Sequence, residues 1–492
     1  MSKTVGIIGS GIGGLALSIR LANHGFKVTL FEKNSYAGGK LSELNLNGYR
    51  FDKGPSLFTM PCLIDELTTL QKSKTLFEYH KLETITHYFY SDGTQLKASA
   101  NIEDFASEIS EKLNEKKESV IKHINRNAFY FKTTEDLFLK QSLHQLKNFI
   151  NLKTLKGILL APFLGLFSTM NKKNESSFKN PKTIQLFNRY ATYNGSNPYK
   201  APGLMNMISH LEFNLGAFLP KKGMHQITTH LVQLAEEAGV AIKYNEKVSN
   251  LAVNDNHKIT TLTSNGLDYK FDIVASDVDM HVLYKYLLPE SLTPKKLLKQ
   301  EKSSSAFVFY WGINKEFKEL GLHNILFSDD YKKEFDYLFS KQEPIDDPTV
   351  YINITSKYCK NDAPEGCENW FVMVNVPHNK EKNIKYTAAL RKNVIHKINA
   401  ILKTDIEKHI VEESTLSPVD IENQTSSFGG SLYGNSSNNK FAAFLRHSNF
   451  SSSVKNLYLV GGSVHPGGGI PLCLYSAKIA SQLIIDRESN EK

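Results

Sequence analysis

Three glycine-bearing segments and one histidine carry residue types and spacings suited to holding a dinucleotide and working beside it. In Val5-Gly6-Ile7-Ile8-Gly9-Ser10-Gly11-Ile12-Gly13-Gly14, the glycines at 9, 11 and 14 have the G-x-G-x-x-G spacing, between a strand pattern and a helical one. Gly9 permits a tight turn, Gly11 lets backbone reach a pyrophosphate, and Gly14 lets helix and sheet pack closely. The helix that begins there offers free N–H groups and a partial positive charge to phosphates. Glu32 ends the second strand, 18 residues after Gly14. A carboxylate at that place accepts the ribose hydroxyls of an adenosine and repels a 2′-phosphate, which disfavours NADP. The alternative is the glycine-rich turn of an ordinary α/β domain, and strand, spacing and Glu32 together argue against it.

FAD and NAD share this fingerprint, and two further segments separate them. Gly38-Gly39-Lys40 follows Glu32, and Gly48-Tyr49-Arg50-Phe51-Asp52-Lys53-Gly54-Pro55 comes soon after. NAD needs no second glycine pair, whereas an extended flavin nucleotide needs backbone close to its ribityl and ring ends. Far downstream, Leu459-Val460-Gly461-Gly462-Ser463-Val464-His465-Pro466-Gly467-Gly468-Gly469-Ile470-Pro471 opens an apolar helical pattern. Pro471 suits a first helical turn, leaving N–H donors and a positive dipole end free to face an acceptor. Directed at a flavin, that end stabilises the charge of the reduced ring. The reading is FAD. His465 is the polar group best placed to orient a substrate or shuttle a proton, with a loop-capping hydrogen bond as its alternative role. Asp52 either lends charge near the flavin ring or pairs with Lys40 or Arg50.

The elements that position these residues follow from the apolar pattern. Residues 4–8 read as a buried parallel strand, 13–24 as a helix and 27–32 as a second strand. Residues 100–155 are mostly helical in pattern. A helix over 225–237, a strand over 240–244 and a buried strand over 271–277 return to the nucleotide unit. Asp277 and Asp279 after that strand read as turn and capping residues, with Ser276 and Asp277 the two that come nearest the cofactor. Residues 305–313 and 369–376 have the β-branched and aromatic bias of a second sheet. The expected architecture is α/β: a discontinuous Rossmann-like FAD-binding domain (1–75, 220–285 and 452–492), an inserted α+β substrate-binding domain (76–140 and 286–451), and a helical lid or membrane-association region (141–219).

Length and composition agree with a folded enzyme and exclude other classes. A chain of 492 residues with 41% hydrophobic and 22% charged residues calls for two or three domains and no wholesale disorder. The formal net charge of +9 is modest. Without an arginine-rich stripe interleaved with aromatics, nucleic acid is not an expected partner. Cys62, Cys359, Cys367 and Cys473 form no CxxC pair, so no metal site is expected. No export segment is evident at the start, which points to the cytoplasm. The apolar run 157–170 contains Pro162 and is short of the roughly 20 residues that a spanning helix needs, so it reads as buried or interfacial.

Taken together, these segments resemble the carotenoid desaturases of the bacterial phytoene-desaturase type. The residues carrying the resemblance are Val5 to Gly14, Glu32, Gly38-Gly39-Lys40, Phe51 to Pro55, Pro220 to Met224, Val274 to Asp279, Ala363 to Cys367 and Leu457 through Pro471, in the family's order. Gly461-Gly462-Ser463 before His465, and the Tyr433-Gly434 loop followed by Arg446, resemble the branch acting on 1-hydroxylated carotenoids at the 3,4 bond. The chain departs from the pattern where Lys40 replaces an arginine, Lys222 a glycine, and Gly462-Ser463 an acidic position. The resemblance implies oxidation of a C–C bond beside a polyene, with hydride passing to flavin N5 and a proton leaving the next carbon. It implies FAD held by Gly9, Gly11, Ile12, Gly13, Gly14, Glu32, Lys33, Gly38, Gly39, Lys40, Gly54, Pro55, Ser56, Val248, Gly461, Gly462, Gly468, Ile470 and Pro471, with His465 as the catalytic candidate and Val248 meeting adenine.

A carotenoid substrate also implies a peripheral seat on the inner face of the cell membrane, with oxygen or a quinone as electron acceptor. Leu143, Leu146, Phe149, Ile150, Leu152 and Leu155 beside Lys147, Lys153 and Lys156 make a face that docks on an anionic bilayer or, alternatively, an ordinary amphipathic core helix. Met205, Met207 and Phe213 are candidates to line a tunnel. The competing functions are phytoene desaturase, carotenoid isomerase or oxygenase, retinoid saturase, flavin amine oxidase, and a non-catalytic lipid carrier.

Overall fold

Two strand patterns in the sequence build two different sheets. In the computed structural model, which describes residues 2–145, 148, 164–378, 387–439 and 446–490, the short apolar runs pair as a five-stranded parallel sheet. Its order is Leu457–Leu459, Ile273–Ser276, Thr4–Ile8, Lys27–Phe31 and Ala241–Lys243. Every pairing in it is parallel. Strands in such a sheet are covered on both faces. Val5 and Ile7 pack with the helices Ile12–Asn23, Gln226–Glu237 and Ile470–Asn490. Ile8, Val274 and Leu459 face Val248, Leu251, Ile259 and Leu262 of an antiparallel three-stranded sheet. The parallel sheet therefore draws on segments separated by more than two hundred residues.

The second sheet has seven strands in the order Ile410–Leu416, Ser305–Ile313, Glu368–Val376, Val350–Ile354, His323–Leu326, Thr84–Phe89 and Gln95–Ser99. All neighbours are antiparallel except His323–Leu326 with Thr84–Phe89. Side chains alternate across it. Phe307, Phe309, Trp311, Val350, Ile352, Trp370, Val372 and Val374 form one core with Leu390, Val394 and Ile398 of the helix Thr387–Leu402. Ala306, Val308, Phe371, Met373, Tyr351, His323 and Ile325 face the other way and line a cavity.

Helix Lys117–Phe138 and the helical run Gly203–Leu215 close that cavity. The predicted amphipathic face at Leu146, Lys147 and 149–156, and the first half of the run 157–170, lie outside the described residues. Met205 and Met207 line the cavity, as expected of tunnel residues. Phe213 does not: it is buried against Phe105, ring centroids 4.6 Å apart and nearly parallel, and belongs to the core. No described helix is long and apolar enough to cross a membrane.

Candidate active site

Two adjoining cavities, of about 590 and 400 Å³, share a wall made by Gly39, Lys40, Pro55, Leu432, Tyr433 and Gly468 to Ile470. The larger is a groove running along the glycine-rich loop. Of the residues expected to hold the cofactor, Gly9, Gly11, Ile12, Gly13, Glu32, Lys33, Gly38, Gly39, Lys40, Pro55, Val248, Gly462, Gly468 and Ile470 line it. Gly54, Ser56 and Pro471 line the smaller cavity. Gly14 and Gly461 line neither and stand behind the wall, where room is the constraint. A Cβ on Gly14 would meet the Gly9 carbonyl oxygen at 2.1 Å, and one on Gly461 would meet Asp277 Oδ1 at 2.0 Å.

The donors of the groove are mostly backbone. Helix Ile12–Asn23 begins at Gly11, which has no side-chain cap, so its first N–H groups face the groove. Glu32 is buried; its Oε2 accepts from the Ser10 N–H at 3.0 Å and the Ser10 hydroxyl at 2.6 Å, and its Oε1 from the Asn34 N–H at 2.9 Å. These bonds fix the carboxylate at the groove with further lone pairs to offer. The two lysines in the set are committed elsewhere. Lys33 donates to the Asn423 carbonyl at 2.7 Å and to Ser426 at 2.8 Å, and Lys40 donates to the Leu432 carbonyl at 2.7 Å. At the far end, helix Ile470–Asn490 starts at Ile470 with Pro471 second, turning its positive end to the shared wall. Arg446 joins it, held by the carbonyls of Asn435 at 2.9 Å and Tyr433 at 3.2 Å.

Of the two roles the sequence leaves open for Asp52 the structure shows the ion pair, and the capping expected of Asp277 reaches a distant segment. Asp52 pairs with Arg50 at 2.6 Å and accepts the N–H groups of Met224 and His225, each at 2.8 Å, so it anchors the entry to helix Gln226–Glu237. Asp279 caps its own turn through the His281 N–H at 2.8 Å. Asp277 instead caps a distant helix, accepting the Gly14 N–H at 3.0 Å, and sits inside the glycine-rich cradle. Burial raises its pKa to about 7, and the nearby Glu32 carboxylate pushes the same way. The last turn of helix Pro418–Thr425, with Ser426 and Ser427 after it, completes the groove, with no motif to announce it.

His465 is buried away from both cavities. Its Nε2 donates to the Gln141 carbonyl at 2.9 Å, and its backbone N–H donates to the His447 carbonyl at 2.9 Å. Burial lowers its pKa to about 4, so the ring is neutral. The loop-fixing role fits this geometry and contact with substrate does not.

The smaller cavity is mainly apolar, lined by Leu57, Met60, Phe131, Phe138, Leu139, Leu204, Met205, Ile208 and the inner face of the seven-stranded sheet. Among its described lining residues there is no aspartate or glutamate. Arg189 reaches it, stacked over the rings of Tyr190 and Tyr88 and paired with buried Glu212 at 3.0 Å. Tyr190 donates to Glu212 at 2.7 Å, and Tyr193 donates to it as well.

A cradle in which Gly11, Gly13 and Gly38 leave no room for a Cβ, the starts of two helices at the groove and the fixed Glu32 carboxylate form a donor set that fits FAD. Residues 12–485 match the model of the flavin containing amine oxidoreductase family. The chain belongs to that family. It is a flavin-dependent oxidoreductase with FAD as cofactor. It is 50% identical over 486 residues to a 1-hydroxycarotenoid 3,4-desaturase of Flavobacterium sp., covering 98% of this chain and 99% of that one. It is 30% identical over 495 residues to a 4,4'-diapolycopene oxygenase of Methylomonas sp., covering 98% of each. These matches place it among the carotenoid desaturases and oxygenases. A solved putrescine oxidase variant has the same fold, with a TM-score of 0.64, 12% identity and all of both chains covered.

Proposed function

We propose that this flavoenzyme is a carotenoid desaturase that forms the 3,4 double bond of a 1-hydroxylated carotenoid. The observation that carries the reading is an apolar cavity with no carboxylate among its described lining residues, opening on the cofactor groove, in a chain half identical to a desaturase of that name. An amine substrate is a cation; the cavity offers it the Arg189 guanidinium and no carboxylate among the described residues. A polyene needs only dispersion contacts and exclusion of water, which Leu57, Met60, Phe131 and Met205 supply.

When bound, FAD supplies the two-electron acceptor: the substrate loses a hydride to it and a proton to solvent or base, one C–C bond becoming C=C. The residues of the chain hold the alkyl end against the shared wall at Pro55 and Gly468 to Ile470. Arg446 and the start of helix Ile470–Asn490 place positive potential on that wall, where negative charge develops. Oxygen or a quinone would serve as the final electron acceptor.

A seat on the inner face of the cell membrane suits the same substrate. On helix Lys117–Phe138, Lys122, Asn125, Phe129 and Lys132 form one exposed face, with Phe129 55% exposed. Phe167, 70% exposed, follows Leu166, which packs with Tyr130 and lines the cavity. Aromatic side chains flanked by lysines dock at an anionic interface and bring the cavity mouth to the lipid.

The test is to incubate the holoenzyme with a 1-hydroxylated carotenoid in anionic liposomes. A product two hydrogens lighter with a longer chromophore is expected. A product heavier by one oxygen makes the enzyme an oxygenase, and an isomer of unchanged mass makes it an isomerase; either overturns the proposal.

A further inference from the structure

The apolar cavity has a polar corner on its sheet side, and at its centre is a hydrogen-bond donor with nothing to bond. His323 begins strand His323–Leu326 and points into the cavity beside Tyr351, its rings stacked with a 6.1 Å centroid distance. Its Nδ1 meets the Tyr351 hydroxyl at 2.7 Å, and that hydroxyl meets Ser56 Oγ at 2.7 Å. The Asn353 amide nitrogen also reaches Nδ1, at 3.2 Å, and the same nitrogen donates to the Leu322 carbonyl at 3.0 Å. The amide thus donates and Nδ1 accepts, so in the neutral ring Nε2 carries the hydrogen. The ring is neutral: burial and then the facing Arg189 lower its pKa to about 3. His323 is 3% exposed, and Nε2 has no partner. A buried donor without an acceptor costs free energy until something supplies one.

The position of this corner matters as much as its chemistry. Ser56 directly follows Pro55, which belongs to the wall shared with the cofactor groove. In a substrate hydroxylated at carbon 1 and oxidised at carbons 3 and 4, one methylene separates the carbinol carbon from the reacting bond. Its oxygen must therefore lie close to the cofactor wall, where this corner is. Thr86 offers a further hydroxyl in the same cavity.

We propose that His323, with Tyr351 and Ser56 behind it, is the specificity site that recognises the substrate hydroxyl adjacent to the bond being oxidised. Nε2–H donates to the hydroxyl oxygen, and the rest of the cavity holds the polyene. This rests on the desaturase reading above.

The test compares kcat/KM for a 1-hydroxylated carotenoid with that for its analogue lacking the hydroxyl, in wild type, His323→Phe, His323→Gln and Tyr351→Phe. The preference for the hydroxylated substrate is expected to fall roughly 10- to 100-fold in His323→Phe, because one buried bond is lost. His323→Gln, which keeps a donor, retains most of it, and Tyr351→Phe lowers it less than His323→Phe. If His323→Phe fails to fold or to hold flavin, Tyr351→Phe decides. An unchanged preference in the foldable variants, or equal turnover of both substrates by wild type, overturns the assignment while leaving the desaturase reading intact. No turnover of either substrate by flavin-loaded wild type overturns that reading instead.

Discussion

The cofactor groove and the substrate cavity meet at one wall but are built from different material. The groove is backbone and glycine: its function is set by N–H groups, helix ends and the absence of Cβ atoms. The cavity is side chains on one face of a mixed sheet, and its function is set by size, apolarity and a few placed polar atoms. Backbone sites tolerate almost no substitution. Side-chain sites are retuned one residue at a time, which is how one scaffold serves amines and polyenes.

The contrast is broken most violently in the groove. Gly14→Val is expected to abolish flavin retention, since even a Cβ would sit 2.1 Å from the Gly9 carbonyl oxygen; purified protein that keeps its flavin absorbance refutes this. Next comes the buried ion pair behind the cavity. Arg189→Leu leaves Glu212 buried without its cation and should cost about 3–5 kcal/mol in denaturant unfolding. Flavin is expected to remain bound in the surviving folded fraction, because the pair belongs to the other site.

The third effect is a pH dependence. Asp277 has a folded pKa of about 7 against 3.8 for an unperturbed aspartate, so the folded state binds the proton more tightly. Its contribution is complete below about 4 and is lost as pH rises through 7. The melting temperature of the flavin-free protein should fall over that window, and Asp277→Asn should flatten the curve. The smallest effect is expected at His465. Replacing it with Gln loses a loop contact at a cost of about 1 kcal/mol and leaves substrate-driven flavin reduction within a few-fold; a loss of several orders of magnitude would return His465 to the reaction.

The same contrast explains what could be read in advance. Backbone sites leave signatures in residue type, because only glycine fits them, so Gly9 to Gly14, Gly38-Gly39 and Gly468 were legible with Glu32. The strand over 305–313 was legible because its residues are buried on both faces. The capping role of Asp277 is legible too, but its partner, the Gly14 N–H, is not, because it comes from a parallel pairing between Ile273–Ser276 and Thr4–Ile8 that no local spacing encodes. For His465 the sequence leaves catalysis and loop capping open, and only its partner, Gln141, decides for the cap. In the corner of Ser56, His323 and Tyr351, sheet register brings the last two together and a hydroxyl contact adds the first, and nothing in any one segment marks it.

The order of strands in the parallel sheet has a consequence for how the enzyme is made. Thr4–Ile8, the first strand synthesised, lies in the middle, and the sheet is completed only by Leu457–Leu459. Helix Ile470–Asn490, which packs on Ile12–Asn23 and ends the shared wall, comes later still. The nascent nucleotide unit must therefore wait on the ribosome with an open edge while some four hundred residues emerge. The flavin site is therefore complete only once the helix Ile470–Asn490 is in place.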